Sequence, residues 1–132
     1  MNDFTKEDME EALRAITSMI SKTEKAEEKF AQGTSQHTLQ KNRLKALNIA
    51  SSLISKELAE SDTMEDYTKG DLKKALAPIA SLISKSEKAQ KKLVQGTWQH
   101  TMLSNNIKAL YIAFAIVNEG IERDKCRKEQ ME

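Results

Sequence analysis

Apolar residues recur in steps of three and four along most of the chain. In 5–32 they fall at Met9, Leu13, Ile16, Ile20 and Phe30; in 68–95 they fall at Leu72, Leu76, Ile79, Ile83 and Leu93. Such spacing gathers side chains on one face of an α-helix. Two further helical runs follow these. One carries Leu44, Leu47, Ile54 and Leu58, and the other Leu103, Ile107, Leu110, Phe114, Val117 and Ile121. The pattern predicts four helices near 5–32, 35–60, 68–95 and 98–123. Each would be roughly 40 Å long at about 1.5 Å per residue.

Punctuation along the chain agrees with these spans. Thr5-Lys6-Glu7-Asp8 and Thr68-Lys69-Gly70-Asp71 have the form of a capping box, a hydroxyl for orphan N–H groups with an acid three residues on. Gly33 and Gly96 stand where a glycine ends a helix, and Thr34 and Thr97 stand ready to cap the next. Pro78 is the one conflict. It falls inside the third predicted helix, where it lacks an N–H and crowds the preceding turn, so a kink is expected near Lys74–Pro78.

The chain is a duplication. Residues 4–60 align with 67–123 at a constant offset of 63, and the 57 pairs contain 26 identities. Gln32-Gly33-Thr34-Ser35-Gln36-His37-Thr38 matches Gln95-Gly96-Thr97-Trp98-Gln99-His100-Thr101 at every place but Ser35/Trp98. Each half reads as a long helical hairpin, residues 4–60 and 67–123. Residues 61–67 form an acidic linker, and 124–132 a charged tail expected to fray. The expected fold is all-α, a single domain over 1–132: an antiparallel up-down-up-down four-helix bundle. Through 61–67 the hairpins could also exchange between two chains of a dimer.

The last helix breaks the symmetry of the halves. Residues 51–60 and 114–123 share no identity, and Ile107–Val117 is apolar nearly all round. One partner face cannot bury such a helix. Either it is central in its own bundle, or a second face meets another protein. Tyr111, Phe114 and Ile116 are the candidate anchors of such an interface.

Charge changes the picture locally but not globally. Lys and Arg number 21 against 20 acids. Residues 68–95 hold seven lysines and two acids, a charge of +5, whereas 5–32 hold five basic and seven acidic residues, a charge of −2. Ser81, Lys85, Lys88, Lys92 and Gln95 form a stripe opposite the apolar face of the third helix. The absence of interleaved aromatics and of a recognition module disfavours nucleic acid. The single cysteine, Cys126, leaves the fold independent of oxidation. No leader or membrane span is read, which points to the cytoplasm.

Candidate chemistry centres on the repeated turns. In the expected bundle both turns lie at one end, where Thr34, Gln36, His37, Thr97, Trp98, Gln99 and His100 would gather around free N–H groups. That set suits a small ligand or an anion. Two imidazoles without a third ligand do not make a zinc site. No cofactor is implied, and no nucleophile–base pattern, phosphate loop or Glu-x-x-His pair points to an enzyme.

The runs Gly33-Thr34-Ser35-Gln36-His37-Thr38-Leu39 and Asn42-Arg43-Leu44-Lys45-Ala46-Leu47 resemble those of small bacterial helical-hairpin repeat proteins. The resemblance covers each half of the chain. It implies a bacterial cytoplasmic protein and brings no activity or site with it. The sequence thus favours a non-enzymatic interaction or assembly module that binds a protein partner or a second copy. The ligand or anion binder at the turns is the rival.

Overall fold

The computed structural model describes residues 4–59 and 67–131, with side chains as far as Glu122. It contains four helices: α1 (Lys6–Glu28), α2 (Ser35–Leu58), α3 (Lys69–Lys91) and α4 (Trp98–Met131). They pack as an all-α four-helix bundle. Apart from Tyr67, the expected linker lies outside the described residues, as does the side chain of Cys126.

Local chemistry sets the helix ends. Thr5 accepts the N–H of Asp8 at 3.0 Å while Asp8 accepts that of Thr5 at 3.2 Å. Thr68 and Asp71 repeat the box at 3.1 and 3.3 Å. Gly33 and Gly96 have φ of 87° and 88°. This left-handed region costs a residue with a Cβ about 1–2 kcal/mol. α1 and α3 stop at Glu28 and Lys91, several residues short of the expected 32 and 95, because the chain turns before each glycine. α4 does the opposite. No glycine or proline follows Gly120 in the sequence, and the helix extends to Met131, past the expected end at 123. α3 passes through Pro78 as a single helix.

Burial explains the composition of the helices. α1 and α3 each rest on α2 and α4 and do not touch one another, whereas α2 and α4 each touch all three other helices. The outer pair therefore needs only one apolar face: Met9, Ala12 and Ile16 on α1, and Leu72, Ala75, Ile79 and Ile83 on α3. The inner pair needs a wide apolar arc. On α2 it comprises Ala46, Leu47, Ile49, Ala50, Leu53 and Ile54; on α4 it runs from Ala109 to Ile121. The all-round apolar character of α4 is that of a central helix in its own bundle.

Most buried residues lie in the open half of each hairpin, away from the turn; Arg43, Ala46, Ile83 and Ala109 lie just on the turn side of the middle. Between hairpins, Met102 and Lys108 of α4 lie with Asp8 and Ala12 of α1, and Leu39 and Lys45 of α2 lie with Asp71 and Ala75 of α3. Tyr67, just before α3, shares a surface with Glu27, Lys41 and Asn48. The open end of each hairpin thus lies against the turn-side half of the other. This register keeps the two turns apart.

Candidate functional site

The turns do not gather into one site. Thr34 Oγ1 accepts the N–H of His37 at 3.2 Å and donates to the carbonyl of Ala31 at 2.7 Å. Thr97 does the same with His100 and Val94, at 3.3 and 2.8 Å. Both hydroxyls are thereby engaged in closing their own turns. Nε2 of His37 lies 3.4 Å from Glu27 Oε1, within its own hairpin. In the second hairpin Gln90, the counterpart of Glu27, bonds the carbonyl of His100 and the hydroxyl of Ser104. Gln36 and Gln99 are exposed. The expectation that His37 and His100 approach each other gives way to the register described above. Among the described residues no three His, Cys, Asp or Glu side chains are placed to hold a metal, and no helix is long and apolar enough to cross a membrane.

The expected anchors on α4 are divided between core and surface. Ile116 is buried and Phe114 packs half-buried against the core. Tyr111 is half exposed, and its hydroxyl donates to Glu87 Oε2 at 3.2 Å. That hydrogen bond to a carboxylate is the main reason its phenol ionises above the ordinary tyrosine range. The second apolar face of α4 is therefore largely taken up by α1, α2 and α3.

Large exposed apolar side chains lie elsewhere. Val94 is 74% exposed and Trp98 is 70% exposed, and Met102, one turn beyond Trp98 on the same face of α4, is also exposed. Their counterparts in the first hairpin are Ala31, Ser35 and Leu39. Lys88, Lys91 and Lys92 are exposed on the last turn of α3 and its C-cap, where the first hairpin has Lys25, Glu28 and Lys29. The tip of the second hairpin is thus apolar and basic. Sequence reasoning singled out Trp98 but missed Val94 and Met102. The available signal was the exchange of Ala31 for Val94 beside that of Ser35 for Trp98.

Two surface grooves lie where the hairpins meet. One, of about 470 Å³, runs between α1 and α4; the other, of about 520 Å³, between α3 and α2. Ten of the lining residues correspond at the offset of 63. On the outer helices the pairs are Asp8/Asp71, Glu11/Lys74, Ala12/Ala75, Arg14/Ala77 and Ala15/Pro78. On the inner helices they are Met102/Leu39, Asn105/Asn42, Lys108/Lys45, Ala109/Ala46 and Ile112/Ile49. The duplication in sequence is therefore matched by a pseudo-two-fold relation in space. In the first groove Lys108 Nζ donates to Asp8 Oδ1 at 3.1 Å. This bond, with the Thr5 N–H and the Lys108 charge behind it, holds the Asp8 carboxyl below the usual carboxylate range. No known protein family, curated protein or solved structure matches this chain.

Proposed function

We propose that this protein is a non-enzymatic helical interaction module, and that its contact surface is the tip of the second hairpin. The observation that carries the reading is the exposure of Val94 and Trp98 beside Lys88, Lys91 and Lys92. Exposed apolar side chains rimmed by charge are the usual make-up of a protein contact, with tryptophan a frequent anchor. The lysines select an acidic partner surface. This reading moves the contact from Tyr111, Phe114 and Ile116, which α4 holds partly or wholly against its own bundle. The ligand-cradle reading of the turns has less support, because Thr34, Thr97 and His37 are engaged in local bonds.

The test uses the duplication as its own control. A photo-crosslinking residue is placed at Trp98 in one preparation and at Ser35, its counterpart, in another. Binding through the second tip gives a discrete adduct from position 98 that position 35 does not give. Lys91→Glu with Lys92→Glu abolishes that adduct without loss of helicity by circular dichroism. Equal crosslinking from both positions would remove the proposal. An adduct with a second copy of this chain would identify the module as self-assembling.

A further inference from the structure

We propose that the groove between α2 and α3 is a binding site for an anionic amphiphile, an acid head group on a medium-length alkyl chain. The argument is a comparison of two surfaces built on one backbone plan. The α1/α4 groove has a balanced rim: Asp8 and Glu11 against Arg14 and Lys108, with Asp8 and Lys108 joined across it. In the α2/α3 groove Lys74 stands in place of Glu11 and Ala77 in place of Arg14. The rim there is Lys45 and Lys74 against Asp71 alone, a charge of +1. Asp71 Oδ2 accepts the N–H of Thr68 in the capping box. Among the described residues neither Lys45 nor Lys74 forms an ion pair, and both are exposed.

Apart from these charged groups, Asn42 and Ser81, the groove is lined by apolar side chains. Ala46, Ile49 and Ala75 form a buried floor, Leu39 stands 42% exposed at one edge, and the half-buried ring of Pro78 lines the α3 wall. Small side chains on both helices keep the floor open. Proline, which also lacks an N–H, adds apolar surface where the first groove has Ala15. The volume of about 520 Å³ lies within the ordinary range of small-ligand sites, roughly 300–1,000 Å³. An alkyl chain laid along the groove removes the exposed apolar surface of Leu39, Ala77 and Pro78 from water. A carboxylate, sulfate or phosphate head reaches Lys45 and Lys74 from either wall.

Decanoate, below its micelle concentration, is the probe. Amide chemical shifts of the whole chain are followed during titration, with decyltrimethylammonium and acetate as matched controls. The site gives saturable shifts confined to Leu39–Ile49 and Asp71–Ser81, and binding at least tenfold weaker for the alkyl cation and for acetate. Lys45→Glu with Lys74→Glu, both surface changes, lowers decanoate affinity tenfold or more while the spectrum stays folded. Equal affinity for the alkyl cation overturns the proposal by showing adsorption of any chain. So do undiminished binding by the double variant and equal shifts along the α1/α4 groove.

Discussion

In the first hairpin the turn is clasped by an acid and an imidazole, Glu27 and His37; in the second a neutral amide, Gln90, reaches the backbone of His100 and the hydroxyl of Ser104. Around these clasps the backbone devices are the same. Both hairpins have a capping box, a positive-φ glycine and a threonine cap. The surfaces nevertheless diverge. Glu27 and Glu28 of the first tip are replaced by Gln90 and Lys91 in the second, where Val94 and Trp98 stand exposed in place of Ala31 and Ser35. The comparison teaches that the residues setting chain direction are separate from those setting surface chemistry. A fold can therefore hold two copies of one frame and present two different faces.

Three changes sharpen or break this equivalence, the largest effect first. Leu47 and Leu110 correspond at the offset of 63, and both are fully buried on the inner helices. Leu47→Ala and Leu110→Ala should each cost about 2–5 kcal/mol in urea unfolding, and by similar amounts. A large inequality would mean that the two inner helices are packed unequally despite their shared pattern. Next come Gly33→Ala and Gly96→Ala. Each glycine has open space for a Cβ, so the loss comes from the backbone conformation alone, about 1–2 kcal/mol at either turn. Thermal melts should show matching decreases.

The smallest effect separates the two grooves. The folded-state pKa of Asp8 is lowered, so its contribution is present above the unfolded carboxyl's pKa and is lost as pH falls through the folded value. Asp8→Asn should therefore reduce stability at neutral pH and have progressively less effect under acid. Because the pair is exposed, the change should be slight and should shrink with added salt. Unfolding midpoints of both proteins across the acid range, at low and high salt, would show this. A difference that persists unchanged into strong acid would mean the bond to Lys108 is not its source.

The frame was legible in the sequence because it depends on local rules. The boxes at Thr5/Asp8 and Thr68/Asp71 and the stops at Gly33 and Gly96 can be read within a few residues of chain. The helix starts predicted from them agree with the structure to within one residue. The alanines of the inner helices were harder to read. Ala46, Ala50 and Ala113 are fully buried, but alanine suits any helix position and carries little facial information. Arg43 was unreadable for the opposite reason. A guanidinium suggests solvent, yet Arg43 is buried, its Nε has no partner among the described residues, and burial pushes its pKa down. The placement of the turns depended on how the hairpins meet. That register is fixed by contacts far apart in sequence, such as Asp8 with Lys108, and the repeat alone does not reveal it. The same applies to the candidate site: Trp98 was visible as an anomaly, but the grooves exist only once the hairpins are laid together.

The near-two-fold relation between the hairpins has one more consequence. A symmetric pair of identical single hairpins would show every substitution twice, once in each groove and once at each tip. Joining the two in one chain lifts that constraint. Lys74 can differ from Glu11, and Trp98 from Ser35, without any matching change across the axis. The tandem chain is thus a symmetric scaffold free to be polar: one end and one groove can specialise while their mirror positions continue to serve the bundle.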